Sequence, residues 1–200
     1  MISHLILASA SPRRVELLRQ LRYQFTVYPL DVDESRLPNE PPQHLVQRLA
    51  QLKAETARDR RGTREWFLGA DTVVALGQEI LGKPEDATQA AEMLRILSGR
   101  VHSVYSGIAL AAVGIPTEVA VVRTRVRMVA LSEAMIAAYV KTGEPLGKAG
   151  AYAIQGQAAT FISRIAGSYS NVVGLPLFEL SRMLEQVGAQ ETHGVVPKNT

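Results

Sequence analysis

Cysteine is absent from the 200 residues, and so is any long apolar run. Without cysteine there is no disulfide framework, no thiolate metal site and no cysteine nucleophile, and a reducing compartment is favoured. No segment approaches the ~20 apolar residues that span a bilayer, and residues 1–9 lack the basic flank and long apolar core of a signal peptide. We therefore expect a soluble, cytoplasmic protein that has no membrane partner.

A strong excess of one charge is also missing, since 22 Lys and Arg stand against 19 Asp and Glu, for a formal net charge of +3. One local exception is the alternation of Arg123, Arg125 and Arg127 with smaller or apolar residues. Because no aromatic residues interleave with these arginines, the pattern favours the solvated face of a strand over a nucleic-acid stripe. We expect no nucleic-acid partner.

What the chain does contain is a mixed order of strand and helix patterns, with 46% hydrophobic residues to build a core. Strands are predicted over residues 5–8, 25–30, 67–68, 72–76, 101–113 and 117–131. Helices are predicted from Ser11, over residues 44–57, from Asp86 to Gly99, from Ser132 to Gly143 and from about residue 175. This order is typical of an α/β protein.

The remaining segments predict turns and loops. Residues 58–62 indicate an exposed turn, and residues 144–171 are rich in the small and polar residues of a ligand-lining loop region. We expect one domain over residues 1–188, with two lobes around a cleft, and a disordered tail over residues 189–200.

The turn after the first strand combines groups that suit an anion. Ser9 and Ser11 supply hydroxyl groups, Arg13 and Arg14 supply guanidinium groups, and the helix that begins at Pro12 supplies free backbone N–H groups. This combination favours phosphate binding. A plain helix N-cap with exposed arginines explains the same residues, and both interpretations stay open at this point.

Asp71 lies between two apolar runs, where a carboxylate can activate water or bind a metal ion. A turn residue that is bonded to its own backbone explains it equally well. Lys83, in a loop bounded by glycine and proline, offers a point charge for a phosphate, while Lys53 and Glu34 offer a second cation and a second carboxylate. Each of these three is more often an ordinary exposed side chain.

Two later segments carry polar groups that suit a nucleotide. Gln155 stands between Ile154 and Gly156, where its amide can read the edge of a base, although a surface glutamine in a turn is an even alternative. Residues 167–176 are rich in Gly, Ser and Asn before a helix and suit either a phosphate or an ordinary loop. The 4 histidines have no ligand-like spacing, so a histidine-based metal site is not expected.

Taken in order, these segments resemble the Maf family. The motifs that carry the resemblance are residues 7–14, 69–74, 82–84, 148–156 and 167–177. The resemblance extends over about residues 4–187. Within the family, Arg13 after a proline, Thr72 after the aspartate and Gln155 before a glycine resemble the subfamily that acts on dTTP and UTP.

The resemblance implies an α/β sandwich with an elongated, curved mixed sheet, related to the inosine triphosphate pyrophosphatases. It implies hydrolysis of dTTP and UTP between the α- and β-phosphates, with release of the monophosphate and pyrophosphate, and a divalent cation, Mg²⁺ or Mn²⁺. Homodimers are common in the family. Because the family is also described as affecting septum formation, a nucleotide-sensing regulatory protein without turnover is the alternative.

Residue roles follow by position from the same resemblance. Asp71 is the expected proton acceptor, with Lys83, Arg14 and Lys53 as further catalytic residues. Base specificity is assigned to Arg13, Thr72 and Gln155. Phosphate binding is assigned to Ser9, Ser11 and Arg14, and metal binding to Glu34 and Asp71.

Overall fold

The computed structural model describes residues 4–188, so the predicted tail over residues 189–200 lies outside the described residues. The strands are β1 (Leu5–Ala8), β2 (Phe25–Val27), β3 (Trp66–Leu76), β4 (Glu79–Leu81), β5 (Val101–Ala112), β6 (Ile115–Met128) and β7 (Ile162–Ala166). The helices are α1 (Pro12–Arg19), α2 (Pro42–Arg61), α3 (Ala87–Leu97), α4 (Glu133–Lys141), α5 (Tyr169–Val173) and α6 (Leu177–Gln186). Short 3₁₀ segments span Ala149–Ala151 and Gln157–Phe161. Within residues 4–188, no helix is both long and apolar enough to cross a membrane.

The strands form one mixed 7-stranded sheet in the order β2-β1-β3-β5-β6-β7, with β4 paired to β3. β1 is parallel to both of its neighbours, and the other pairs are antiparallel. The predicted α/β class is therefore confirmed, whereas the division of residues 1–188 into two lobes of one domain stays a prediction. β6 exposes Arg123, Arg125 and Arg127 and buries Thr124 and Val126 between them, which confirms the predicted alternation.

Helix α2 packs very closely against one face of the sheet. Its inward side carries Ala50 and Ala54, both fully buried. Opposite them the strands carry Gly69 and Gly107, where an added Cβ would overlap a backbone carbonyl oxygen of α2. Because the glycines have no side chain and the alanines only a methyl group, the helix backbone can approach the strands. This approach places Lys53, on the same helix, beside β3.

The opposite face of the sheet holds the larger core, formed with α1, α3, α4 and α6. Leu17 and Leu18 of α1 are buried there, as the spacing of leucines predicts, while Leu21 lies beyond the end of the helix and is only partly buried. The predicted caps of two further helices are confirmed, because Asp86 Oδ1 accepts a hydrogen bond from the Gln89 amide at 2.8 Å and Ser132 Oγ caps α4 in the same way.

β3 is paired unevenly along one of its edges. β1 pairs with it as far as Gly69, and β4 pairs with it from Val74 onward. Among residues 4–188, no strand pairs with residues 70–73 on that edge, although β5 pairs with the same residues on the other edge. Asp71 and Thr72 lie in this uncovered stretch. The fold therefore presents both residues at a gap in the sheet.

Two predicted boundaries are wrong for physical reasons. β3 continues through the predicted interruption at residues 69–71, because Gly69 serves the close approach of α2 and not a turn. The exposed turn predicted over residues 58–62 is helical as far as Arg61, and only Gly62, with a φ of 61°, leaves the helix. Three arginines lie in the last turn of α2, where their positive charges interact favourably with the negative end of the helix dipole and stabilise the longer helix.

The sequence patterns missed β4, β7 and α5. These elements have 3, 5 and 5 residues, which is too short for a periodic signal. β4 and β7 instead gain their stability from pairing with the longer strands β3 and β6. β2 and α6 are also shorter than predicted, since β2 ends at Val27 and α6 begins at Leu177.

A buried histidine joins the sheet to the segment that follows α4. His102 Nε2 lies 2.8 Å from the Tyr152 hydroxyl oxygen, and the two rings pack edge to face with centroids 5.3 Å apart. Burial lowers the pKa of His102 to about 4, and its Nδ1 has no hydrogen-bond partner among the described residues. His102 is therefore neutral in the folded protein at pH 7.

We expect Gly107→Ala to lower the free energy of unfolding by about 1–3 kcal/mol, because the added methyl group overlaps the backbone of α2. Urea denaturation of both proteins measures this difference. Gly82→Ala is the matched control, since a Cβ at Gly82 meets nothing within 4 Å. Equal stabilities of Gly107→Ala and wild type would contradict the close packing of α2.

We also expect His102 to make the stability depend on pH. Its folded-state pKa of about 4 lies below its ordinary value of 6.5, so the unfolded state binds the proton more tightly and stability falls as the pH falls between these values. Between pH 7.5 and pH 5 this residue accounts for a loss of about 2 kcal/mol. We therefore compare His102→Gln with wild type by urea denaturation at both pH values. The free energy of unfolding of the variant should fall by about 2 kcal/mol less than that of wild type between pH 7.5 and pH 5. Identical losses in the two proteins would show that His102 is not the group responsible.

Candidate active site

A cleft of about 620 Å³ opens where β3 is uncovered. Its walls come from the turn after β1, from α2, from the loop after β4 and from residues 147–155. Every residue that the sequence analysis assigns to a site lines it: Ser9, Ser11, Arg13, Arg14, Glu34, Lys53, Asp71, Thr72, Lys83 and Gln155. The fold thus gathers residues from distant parts of the chain around one cavity, with a volume in the range of small-molecule sites.

A buried ion pair forms the floor of the cleft. Lys53 Nζ lies 2.7 Å from Asp71 Oδ1 and 2.7 Å from Glu34 Oε1. Lys53 and Asp71 are each 7% exposed, whereas the side chain of Glu34 is 53% exposed. Loss of Lys53 would leave the buried Asp71 carboxylate without its cation at the floor, which is costly. The pair therefore holds the Asp71 carboxylate in one place.

Glu34 is the carboxylate on the solvent side of Lys53. Partial burial alone would raise the pKa of Glu34, but the hydrogen bond from Lys53 and the charges of Lys53, Lys83 and Arg14 hold it below its usual value. Glu34 is therefore ionised at neutral pH. The floor of the cleft consists of one ammonium group between two carboxylate groups.

These two carboxylates are also the oxygen donors available to a divalent cation. Mg²⁺ is usually bound by one or two carboxylates together with phosphate oxygens of a substrate. Within the part of the chain that the structure describes, no group of three or more His, Cys, Asp and Glu residues could hold a metal ion alone. Glu34 and Asp71 therefore fit a cation that completes its coordination with phosphate oxygens.

The turn between β1 and α1 is organised around the Ser9 hydroxyl. Ser9 Oγ accepts hydrogen bonds from the Ser11 amide at 3.2 Å and from Arg14 Nη1 at 3.1 Å. Ser11 occupies the N-cap position of α1 as predicted, but its own side chain makes no capping hydrogen bond. The hydroxyl of Ser11 is therefore not engaged by the end of the helix that it precedes.

Arg14 ties three parts of the cleft together. Besides its bond to Ser9, its Nε donates to the Gly174 carbonyl oxygen at 3.0 Å and its Nη2 donates to Thr72 Oγ1 at 3.2 Å. Burial lowers the pKa of Arg14, although the nearby Asp71 carboxylate acts in the opposite direction. Three of the five guanidinium N–H groups are thus used within the protein. Arg14 therefore supplies a positive charge and also fixes the geometry of the cleft.

The wall beneath Thr72 is a hydrogen-bonded network that the sequence analysis did not identify. The Thr72 and Ser106 hydroxyl oxygens are 2.8 Å apart, and Ser106 donates to the Asn171 carbonyl oxygen. The fully buried Asn171 amide donates to Thr124 Oγ1 at 2.9 Å and to a carbonyl oxygen of β5. In the sequence, the small polar residues around Asn171 are the one feature that indicates such a network.

Four cations line the cleft without an ion pair to any residue in the range 4–188, namely Arg13, Arg14, Lys83 and Lys148. Burial lowers the pKa of Arg13, and burial followed by the charge of Arg13 lowers that of Lys148. The sequence analysis assigned no role to Lys148, whose one signal was its place at the start of a motif. These groups make the cleft suited to an anionic ligand with several charges.

The comparisons with known proteins agree with this geometry. The model of a family described as Maf-like protein matches residues 4–187. A protein from Myxococcus xanthus named dTTP/UTP pyrophosphatase is 53% identical, and the match covers 92% of each chain. A protein of the same name from Nitrosospira multiformis is 50% identical over 92% of this chain and 94% of its own.

Solved structures confirm the predicted fold at much lower identity. The Ham1 protein of Staphylococcus aureus matches with a TM-score of 0.54 at 12% identity, over 92% of this chain and 99% of its own. A HAM1 protein from Coxiella burnetii matches with a TM-score of 0.54 at 16% identity, over 93% of this chain and 100% of its own. At these identities the likeness concerns the fold alone. Because a family model and relatives near 50% identity both extend over almost the whole chain, the chain belongs to the Maf family.

Proposed function

We propose that this chain hydrolyses dTTP and UTP to the nucleoside monophosphate and pyrophosphate. The observation that carries the proposal is the meeting, in one cleft, of the Lys53–Asp71 pair with unpaired cations and Gln155. The names of the relatives from Myxococcus xanthus and Nitrosospira multiformis give the same substrates. Hydrolysis of a phosphoanhydride needs a water molecule, a base for its proton and cations to offset charge.

Asp71 is the group in the cleft that suits the role of base. Its carboxylate lies at the uncovered edge of β3, and Lys53 orients it through Oδ1. In the proposed step, water adds to phosphorus, its proton passes to Asp71, and the bond between the α- and β-phosphates breaks. Lys53 keeps the carboxylate in position, which is where much of the effect of a general base arises.

The phosphates would lie along the cationic side of the cleft. Lys83 and Arg14 bring positive charge to it, and the hydroxyls of Ser9 and Ser11 stand at the start of α1. Cations that are already in place offset the charge that develops on the leaving pyrophosphate. Since Arg14 is held by Ser9 and Thr72, its contribution requires no rearrangement.

A divalent cation, Mg²⁺ or Mn²⁺, is part of the proposal. Glu34 and Asp71 would hold it, and when bound it would supply positive charge to the phosphate oxygens. Homodimer formation rests on the family resemblance, and a cytoplasmic location rests on the absence of cysteine and of a predicted signal peptide; both remain predictions.

Selection of the base is assigned to Arg13, Thr72 and Gln155. The Gln155 side chain is exposed at the cleft and makes no hydrogen bond with any other described residue. An amide donates and accepts at the same time, as the N–H and carbonyl edge of uracil or thymine requires. The Thr72 hydroxyl, in contrast, already contacts Arg14 and Ser106, so it shapes the wall of the cleft.

Turnover on a panel of nucleoside triphosphates tests the proposal. The wild-type protein is incubated with UTP, dTTP, CTP and GTP in the presence of Mg²⁺ or Mn²⁺, and the nucleotide and pyrophosphate products are both identified. We expect monophosphate and pyrophosphate, formed fastest from UTP and dTTP. Binding of nucleotides without any turnover would instead support the alternative, a nucleotide-sensing regulatory protein.

We expect Asp71→Asn to reduce kcat by at least about 100-fold, because the change keeps the shape of the side chain and removes the base. Lys53 retains its ion pair with Glu34, so the circular dichroism spectrum should not change. Asp59→Asn, the same substitution on the exposed end of α2, is the matched control. Near-normal turnover by Asp71→Asn at saturating metal would exclude Asp71 as the proton acceptor.

For Gln155→Ala, we expect kcat/KM on UTP and dTTP to fall about 10-fold, the effect of one or two net hydrogen bonds. The kcat/KM on poor substrates should fall much less, because the wild-type protein makes fewer hydrogen bonds to their bases. Gln157→Ala removes an exposed amide two residues away and is the matched control. A parallel fall on all four nucleotides would show that Gln155 does not read the base.

A further inference from the structure

Gln155 lies in a tight turn whose shape is set by hydrogen bonds of the backbone. The Gly156 amide donates to the Ala153 carbonyl oxygen at 3.0 Å, so Gln155 is the third residue of a four-residue turn. Ile154, the second residue, is buried and anchors the turn in the core. The position of the Gln155 amide therefore depends on what holds the two ends of this turn.

Both ends of the turn are held by one pair of side chains. Before the turn, the Ala153 amide donates to the Tyr139 hydroxyl oxygen at 3.2 Å. After the turn, the Gln157 amide donates to Glu144 Oε2 at 3.0 Å. The two side chains are joined to each other, because the Tyr139 hydroxyl donates to Glu144 Oε1 at 2.8 Å.

The pair is itself rigid. Tyr139 is 2% exposed, and its ring packs edge to face on Phe161 with centroids 5.2 Å apart. Burial, and then the hydrogen bond to Glu144, raise the pKa of Tyr139, so its hydroxyl remains a donor. Gly156 packs against the Glu144 carboxylate, since a Cβ at this position would overlap its oxygen atoms.

We infer that Tyr139 and Glu144 are positioning residues that determine base selectivity through the turn carrying Gln155. The inference deepens the proposed function and rests on it. Neither side chain lines the cleft. The hydroxyl and the carboxylate fix the backbone on both sides of Gln155, so their loss lets the amide move away from the edge of the base. A contact that supports only the fold would not change the ratio between bases.

The first test compares Tyr139→Phe with wild type. The variant keeps the ring on Phe161 but removes the acceptor of the Ala153 amide and the donor to Glu144. We expect the ratio of kcat/KM on UTP to that on GTP to fall about 10-fold, the factor associated with one net hydrogen bond. Tyr28→Phe, at a tyrosine whose hydroxyl makes no hydrogen bond to another residue in the range 4–188, should leave the ratio unchanged.

Glu144 offers a conservative variant for rescue. In Glu144→Gln the amide oxygen can still accept from the Gln157 amide, and the NH₂ group can donate to the Tyr139 hydroxyl, whereas Glu144→Ala removes both contacts. We expect the ratio of kcat/KM on UTP to that on GTP to stay close to the wild-type value in Glu144→Gln and to fall in Glu144→Ala. An equal loss in both variants would overturn the assignment of Glu144.

A double-mutant cycle separates positioning from general support of the fold. If Tyr139 acts through Gln155, then Tyr139→Phe should change the UTP-to-GTP ratio little further in the Gln155→Ala background. Additive changes in the ratio, or an equal fall of turnover on every nucleotide, would overturn the inference.

The inference remains testable if the proposed function fails. The same variants are made in Asp71→Asn, and the dissociation constants of UTP and GTP are measured by calorimetry without turnover. We expect the ratio of the two constants to change about 10-fold with Tyr139→Phe. An unchanged ratio would contradict the positioning role, whereas absence of turnover in the wild-type protein would contradict only the proposed function.

Discussion

The uncovered stretch of β3, residues 70–73, is the constraint on which the site depends. β1 stops before it and β4 begins after it, so no strand among residues 4–188 covers this edge of β3 there. β5 pairs along the opposite edge and holds the strand in the sheet across the gap. Asp71 and Thr72 are consequently presented by a strand, not by a loop, and catalytic groups on rigid elements are held more accurately.

The close packing of α2 provides the second half of the site. Because Gly69 and Gly107 have no side chains, α2 lies near enough for Lys53 to reach Asp71. A buried ion pair of this kind is a weak source of stability, since desolvation offsets much of the attraction. Its value lies in orientation: the lysine holds one carboxylate oxygen and leaves the other for water or a cation. The same packing therefore stabilises the sheet and positions the Asp71 carboxylate.

Sequence reasoning reached the site residues more reliably than the contacts between them. Ser9, Arg14 and Asp71 were found because they stand in short motifs whose order resembles one family, and the cleft brings all of them together. The continuity of β3 was mispredicted because glycine signals a turn in sequence, whereas Gly69 here makes room for a helix. The C-terminal end of α2 was mispredicted because the charged residues 58–61 are also typical of an exposed turn. No local sequence pattern indicated the role of Tyr139 and Glu144. Each side chain binds a backbone amide more than ten positions away in the chain.

A crystal structure with the non-hydrolysable analogue α,β-imido-dUTP and Mg²⁺ tests most directly whether the nucleotide binds at the gap in β3. We expect the bridge between the α- and β-phosphates to lie beside Asp71 at the uncovered edge of β3, with the uracil edge on the Gln155 amide. Phosphates bound away from β3, or a base that does not contact the turn of residues 153–156, would contradict it.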